Sequence, residues 1–130
     1  MSESADKASR SRHIASCHCG NVRISIPELP NTVTSCNCSL CRRYGALWAY
    51  FKFAQVQLEA AAATLAPYRW GDCTIDFWHC TKCGCLTHYT SVDKGPGSRF
   101  AVNTRMLPPD AMETLTVRHF DGAKSWQYLD

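Results

Sequence analysis

Seven cysteines in three short clusters are the feature that most constrains the fold of this 130-residue chain. They occur in Cys17-His18-Cys19-Gly20, in Cys36-Asn37-Cys38-Ser39-Leu40-Cys41 and in Cys80-Thr81-Lys82-Cys83-Gly84. Cysteines spaced as C-x-C or C-x-x-C can direct their thiolates at one ion, whereas disulfides usually join distant segments. The chain has nine cysteines, an odd number that cannot all pair within it. The pattern therefore favours metal binding over a disulfide framework.

The first and third clusters predict one structural zinc site. Two turns from distant segments supply four thiolates, and this is the closed tetrahedral set that structural zinc prefers. Gly20 and Gly84 follow these turns, where a positive φ and backbone N–H donors to the thiolates are expected. The alternative is that these cysteines are reduced side chains buried as small hydrophobic groups.

The second cluster predicts a site of a different kind. Cys36, Cys38 and Cys41 offer three thiolates within six residues, and three protein ligands with an open fourth position are typical of a catalytic zinc. Two alternatives remain open. A fourth protein ligand could close the site, or the site could be empty and two of its cysteines oxidised to a disulfide. The side chains eligible as a fourth ligand are Cys73, His79, Cys85 and His88.

Basic residues accompany the second cluster. Three thiolates on Zn²⁺ leave a net charge of −1, so the adjacent Arg42 and Arg43 would stabilise the site and attract an anionic substrate. Arg105 is a third residue that could bind a substrate carboxylate. The alternative is that these arginines are ordinary solvated surface charges. The aromatic residues that follow, among them Trp48 and Tyr50, are expected to be mainly core, with one ring lining a pocket beside the metal.

The rest of the chain predicts a mainly β domain. Val22, Ile24 and Ile26 alternate with polar residues, which indicates a half-buried strand over 21–26. Further strands are expected at 32–36, 47–53, 74–78, 86–91, 99–103 and 116–120. Short helical turns are expected at 39–44 and 110–114, and a loop or single turn at 59–63.

Composition suggests one domain over residues 13–130, preceded by a disordered tail over residues 1–12, which are rich in Ser, Ala and charge. No apolar run approaches the roughly 20 residues that span a bilayer, so we expect a soluble cytoplasmic protein without a membrane partner. The formal net charge of +3 is mild and the basic residues are scattered, so nucleic acid is not an expected partner.

The combined motifs resemble a known family. The order C-H-C-G, C-x-C-x-x-C-R, W-H-C-x-x-C-G and Asn103-Thr104-Arg105 is similar to that of the glutathione-dependent formaldehyde-activating enzymes, a family that includes centromere protein V. The resemblance covers residues 14–120. It implies an Mss4-like fold of antiparallel sheets held by zinc knuckles. It also implies a structural zinc at the four cysteines of the first and third clusters, and a catalytic-type zinc at those of the second.

The activity that the resemblance implies is the condensation of formaldehyde with glutathione to S-(hydroxymethyl)glutathione, formally a carbon–sulfur lyase reaction. We therefore expect a zinc-dependent enzyme that lowers the pKa of a small thiol, with glutathione as the model substrate. No general acid or base stands out, and His88 is a candidate by its chemistry alone. Two alternatives are a non-enzymatic zinc module that binds protein or nucleic acid, and a zinc-buffering or redox-responsive protein.

Overall fold

The computed structural model describes residues 13–130, so the predicted disordered tail over residues 1–12 lies outside the described residues. Ten strands dominate: β1 (His13–Ser16), β2 (Val22–Ile26), β3 (Thr32–Cys36), β4 (Trp48–Lys52), β5 (Gln57–Ala60), β6 (Leu65–Tyr68), β7 (Ile75–Cys80), β8 (Leu86–Ser91), β9 (Arg99–Asn103) and β10 (Thr116–Phe120). Two short helices, α1 (Cys41–Tyr44) and α2 (Pro109–Met112), and two 3-10 turns complete the fold. Within 13–130 no helix has the length and apolar character needed to cross a membrane.

The strands form two sheets. The smaller has the order β1-β2-β5 and the larger the order β10-β3-β4-β9-β8-β7-β6. Neighbouring strands are antiparallel except for β3 and β10, which run parallel with Thr32 beside Thr116 and Cys36 beside Phe120. The predicted mainly β fold is confirmed, with this parallel pair as an addition to the expected antiparallel sheets.

Apolar residues from both sheets form the core. In β2, Val22, Ile24 and Ile26 are almost fully buried while Arg23 is exposed, as the period of two predicts. Ile24 and Ile26 pack with Phe100 and Val102 of β9. A second set of core residues packs against Cys36, Cys38 and Cys41. In this set the Tyr89 ring packs edge-on against Trp48 and tilted against Phe77.

All seven predicted strands are present, but three more were missed. One is β1. Another is β5, whose four residues are exposed and lack β-branched side chains. Backbone pairing with β2 holds it in place, so the prediction of a loop or single turn over 59–63 is wrong for Glu59 and Ala60. The third, β6, contains Pro67, which is tolerated because β6 is at the edge of its sheet.

Both predicted helical turns are confirmed at slightly different bounds, as α1 and α2. Helix α1 ends at Gly45, whose φ of 65° lies in the left-handed region, and the Gly45 N–H donates to the Cys41 carbonyl at 3.0 Å. A glycine is suited to this C-terminal cap because the left-handed conformation costs it little. The cap fixes α1 directly after the second group of cysteines.

Candidate metal centres and the adjoining cleft

The first and third cysteine clusters meet in space and form a four-cysteine site of Cys17, Cys19, Cys80 and Cys83. All four sulfur atoms lie within 4.8 Å of one another. The Cys17–Cys19 and Cys19–Cys80 sulfur distances are 3.7 and 3.5 Å. A tetrahedral ion with metal–sulfur bonds of about 2.3 Å would hold its sulfurs about 3.8 Å apart. The donor set therefore fits a tetrahedral metal ion.

Backbone N–H groups also point at these sulfurs. Val22 N donates to Cys17 Sγ at 3.3 Å, and Lys82 N donates to Cys80 Sγ at 3.4 Å. Such donors stabilise the deprotonated thiolate, which is the form that binds metal. The site is thus arranged to hold negative charge on its sulfurs.

The two turns have the backbone that the sequence predicted. Gly20 and Gly84 adopt φ values of 83° and 80°, in the left-handed region. Gly84 N donates to the Cys80 carbonyl at 2.9 Å, which closes the second turn. Hydrogen bonds from the backbone N–H groups of Cys85 and Cys19 lower the pKa of Cys83 to about 5, whereas burial raises the pKa of Cys17 to about 11.

The second cluster forms a three-cysteine site of Cys36, Cys38 and Cys41, whose sulfurs also lie within 4.8 Å of one another. Cys36 ends β3 and Cys41 begins α1, so a short loop brings the three together. Cys41 N donates to Cys38 Sγ at 3.3 Å, and Cys38 N donates to Cys36 Sγ at 3.5 Å. Among residues 13–130, no further Cys, His, Asp or Glu joins this set.

The four residues considered as a fourth ligand lie elsewhere. Cys73 is exposed in the loop before β7, and Cys85 packs with Cys17 and Cys80 of the four-cysteine site. His88 is buried, with its ring stacked 4.7 Å from that of Phe100, and His79 lies in β7. All nine cysteines belong to the described part of the chain and are free thiols.

Trp48 packs against the three-cysteine site from inside the core. Its Nε1 is the only buried side-chain nitrogen or oxygen of residues 13–130 without a partner at hydrogen-bonding geometry. Burial raises the pKa of Cys41, and the nearby Trp48 indole N–H partly offsets this effect. The Trp48 indole N–H is therefore a buried donor that is available to the Cys41 sulfur.

An open cleft of about 950 Å³ begins at the three-cysteine site. Eight of its 21 lining residues are aromatic, and all three cysteines of the second cluster line it as well. The residues that line it are Cys36, Asn37, Cys38, Ser39, Cys41, Arg42, Trp48, Tyr50, Trp70, Gly71, Asp72, Thr74, Ile75, Phe77, Tyr89, Arg99, Phe120, Gly122, Ala123, Trp126 and Tyr128.

Residues 121–130, here called the C-terminal segment, cover one side of this cleft. The side chain of Asn37 holds the segment, because Nδ2 donates to Asp121 Oδ1 and Oδ1 accepts from Ala123 N, both at 3.0 Å. The Tyr128 hydroxyl lies 2.8 Å from Thr34 Oγ1 of β3. Gly122 lies so close to the site that a Cβ atom there would be 2.7 Å from Cys36 Sγ. Apart from its aromatic residues, this segment has no sequence feature that predicted a place beside the cysteines.

The three predicted arginines do not all line the cleft. Arg42 lines the cleft. Arg43 Nη1 donates to the Ser39 carbonyl at 2.6 Å and Arg105 Nε donates to the Gly45 carbonyl at 2.5 Å, and neither of these arginines lines the cleft. Their predicted contact with substrate stays a prediction.

Arg99 is the cleft arginine that the sequence interpretation missed. Its guanidinium carbon lies 4.5 Å from the centre of the Tyr50 ring, and Nη1 donates to the Tyr89 hydroxyl at 3.4 Å. It begins a strand and belongs to no motif, so only the strand pairing that places β9 beside β4 and β8 could reveal it.

The chain is similar to known proteins. A family model described as glutathione-dependent formaldehyde-activating enzyme matches residues 12–113. The crystal structure of a Rhodobacter sphaeroides protein, a structural genomics target, is similar at 30% sequence identity with a TM-score of 0.64. The similarity covers 80% of this chain and 98% of that chain. A search of curated proteins found no significant match.

Proposed function

Because this chain belongs to the glutathione-dependent formaldehyde-activating enzyme family, as its cysteine motifs indicated, we propose that it is a zinc-dependent enzyme of the carbon–sulfur lyase type. Its reaction would be the reversible addition of a small thiol, such as glutathione, to a small aldehyde, such as formaldehyde. The observation that carries this proposal is the three-cysteine site, which opens into a cleft and has no fourth protein ligand among residues 13–130.

The two cysteine sites would have different roles. Cys17, Cys19, Cys80 and Cys83 form a complete donor set in which Cys17 and Cys80 are buried, which suits a structural zinc that holds the domain of residues 13–130 together. Cys36, Cys38 and Cys41 would hold a second zinc in the wall of the cleft. Zinc bound there would supply a Lewis-acid centre that lowers the pKa of a coordinated thiol.

The reaction balances without an oxidant or reductant. The thiol gives up its proton and the sulfur attacks the aldehyde carbon, so that a C–S bond forms. The carbon–oxygen double bond becomes a single bond, and the oxygen takes up one proton to give the hydroxymethyl adduct. The reverse reaction breaks the C–S bond and releases both compounds.

The side chains of the chain itself would bind and orient the substrate. Arg42 lies beside the three-cysteine site and would offset its negative charge. Tyr50 also lines the cleft, and its hydroxyl is a donor that can hold the oxygen of the adduct. No histidine of residues 13–130 lines the cleft, so His88 is not available there as a general base.

The test combines metal analysis with a direct assay of adduct formation. The purified protein should contain two zinc ions per chain, and it should accelerate exchange between ¹³C-formaldehyde, glutathione and S-(hydroxymethyl)glutathione, measured by NMR. Cys38→Ser should abolish the acceleration. Cys73→Ser is the matched control, because Cys73 is an exposed cysteine outside both sites and should leave the rate unchanged.

Two results would contradict the proposal. If the protein binds two zinc ions but neither binds thiols nor accelerates the exchange, the alternative of a non-enzymatic zinc module is favoured. If the Cys38→Ser variant accelerates the exchange as well as the unmodified protein does, the three-cysteine site is not where the reaction occurs.

A further inference from the structure

Arg99 brings an uncompensated positive charge to the cleft. Arg69 and Arg118 each have a carboxylate within ion-pair distance, but no carboxylate of residues 13–130 pairs with Arg99. The Tyr50 ring and the Tyr89 hydroxyl hold the guanidinium in place, and neither neutralises it. A guanidinium has five N–H donors, and most of those on Arg99 remain available to an anion.

The acidic side chain that lines the cleft, Asp72, forms no ion pair with Arg99. Asp72 Oδ1 accepts hydrogen bonds from Thr74 N at 3.2 Å and from Thr74 Oγ1 at 2.8 Å, so it is engaged in its own turn. A neighbouring cavity of about 550 Å³ shares Arg99 and contains Asp93 in its wall, but Asp93 forms no ion pair with Arg99. An anionic ligand would therefore meet a positively charged group there.

The cleft also contains aromatic side chains that are partly exposed. Trp126 is 71% exposed and Trp70 is 43% exposed, although both line the cleft. An edge-on contact with Phe120, at 5.2 Å between ring centres, holds Trp126 in position. Exposed aromatic rings that surround a cavity are typical of binding sites for flat apolar groups. Glutathione has no ring that would cover them.

We propose that the cleft selects thiols that carry both a carboxylate and an aromatic or similarly flat apolar group. Arg99 binds the carboxylate, and Trp126 covers the apolar group. The placement of the ligand's sulfur at the three-cysteine site rests on the proposed function. Trp126 lies outside residues 12–113, so this contact is not part of what the family model describes.

Four thiols separate the contribution of the carboxylate to binding from that of the ring. 2-Mercaptoethanol has neither group, 3-mercaptopropionate has the carboxylate, benzyl mercaptan has the ring, and 4-(mercaptomethyl)benzoate has both. Calorimetric titration of the zinc-loaded protein should show that 4-(mercaptomethyl)benzoate binds most tightly. The expected gain is about tenfold from the carboxylate and about threefold to tenfold from the ring.

Variants assign each gain to its residue. Arg99→Gln should remove the carboxylate preference and keep the ring preference, while Arg99→Lys should keep part of the former. Trp126→Ala should remove the ring preference and keep the carboxylate preference. Arg23→Gln is the matched control, since Arg23 is an exposed strand arginine outside the cleft. Circular dichroism checks that each variant is folded. A carboxylate preference that survives in Arg99→Gln, or a ring that adds no affinity, would overturn the proposal.

A ligand without a thiol distinguishes this proposal from the proposed function. 4-Methylbenzoate should bind more weakly than its thiol counterpart and still lose affinity in Arg99→Gln and Trp126→Ala. If it does so while no thiol reacts with formaldehyde, the proposed function fails and the selective cleft stands. If thiols react but show no dependence on carboxylate or ring, the proposed function stands and the selection fails.

Discussion

Gly122 has no side chain, and this allows the C-terminal segment to lie directly against the three-cysteine site. A Cβ atom at this position would be 2.7 Å from Cys36 Sγ and 3.2 Å from Cys38 Cβ. Cβ atoms in proteins essentially never come within 3.0 Å of such a neighbouring atom. Either the segment or the sulfur would have to move.

We predict that Gly122→Ala weakens metal binding at the three-cysteine site at least about tenfold and leaves the four-cysteine site filled. The measurement is zinc stoichiometry under competition with a chelator of known affinity. Gly97→Ala is the control, because a Cβ at Gly97 has nothing within 4 Å. Two ions held as tightly as in the unmodified protein would show that the segment moves away at little cost.

A second prediction at this scale concerns His88, which is buried between Trp78 and Phe100. Burial lowers the pKa of His88 to about 3, below its usual value of 6.5. Above pH 6.5 both the folded and the unfolded chain keep this histidine neutral. Below that pH the unfolded chain takes up a proton that the folded chain does not, so stability falls as the pH falls from 6.5 towards 3.

His88→Phe keeps a flat ring between Trp78 and Phe100 and removes the titrating group. We expect the free energy of unfolding of this variant to depend less steeply on pH between 6.5 and 5 than that of the unmodified protein. Urea unfolding at several pH values measures the slopes. Parallel slopes would mean that His88 does not contribute to the pH dependence.

Residue types and their spacing were enough to predict both cysteine sites. Spacing within a few residues determines which thiolates can share an ion, and the glycines after two clusters indicated their turns. Arg99 and Gly122 could not be predicted in this way. Their importance comes from contacts made across the sheet and by a distant segment, and neither leaves a local pattern.

At the scale of strands, β6 and β7 are connected by an ion pair that is buried at one end. Arg69, which follows β6, donates from Nε and Nη2 to both carboxylate oxygens of Asp76 in β7, at 2.7 and 2.9 Å. The side chain of Asp76 is 4% exposed while that of Arg69 is 45% exposed. These hydrogen bonds lower the pKa of Asp76, which stays charged.

Arg69→Ala should leave the Asp76 carboxylate buried without its partner and lower the melting temperature by about 5 °C at pH 7. Arg118→Ala provides the contrast, since the ion pair of Arg118 with Asp130 is exposed and 3.8 Å long. Its effect should be less than half as large. Similar shifts for both variants, measured by differential scanning calorimetry, would contradict the importance of burial here.

Strands with alternating or β-branched residues were predictable, among them the edge strand β10, but the edge strands β5 and β6 were not. The sequence of β5 carries no strand preference, and that of β6 contains a proline. Both exist because a neighbour offers its backbone hydrogen bonds, and this is a property of the sheet. The parallel pairing of β10 with β3 was equally invisible, because the two strands are far apart in sequence.

At the scale of the whole molecule, the two cysteine sites should differ in how much stability they provide. Cys80 is fully buried and lies in the four-cysteine site, which joins segments 61 positions apart. Cys80→Ser should forfeit folding free energy of order 10 kcal/mol and leave the protein unfolded or insoluble. A soluble Cys80→Ser variant with unchanged melting would contradict a structural role for this site.

Cys38→Ser should be folded, because the three-cysteine site lines an open cleft and joins residues close in sequence. We expect its far-ultraviolet circular dichroism spectrum to match that of the unmodified protein. Loss of the β-sheet signal would mean that the second site is structural as well.

The parallel pairing of β3 with β10 has a consequence for how the protein folds. Asn37, inside the three-cysteine loop, contacts Asp121 across 84 positions of sequence, and Thr34 contacts Tyr128 across 94. Contacts of such high sequence separation are slow to form, because the entropy of closing the loop is lost before the contact is gained. The cysteines of the second site are neighbours in sequence and need no such closure. A metal ion can therefore bind to the three cysteines of a nascent chain early, before residues 121–128 are in place, and the wall of the cleft formed by those residues is completed late.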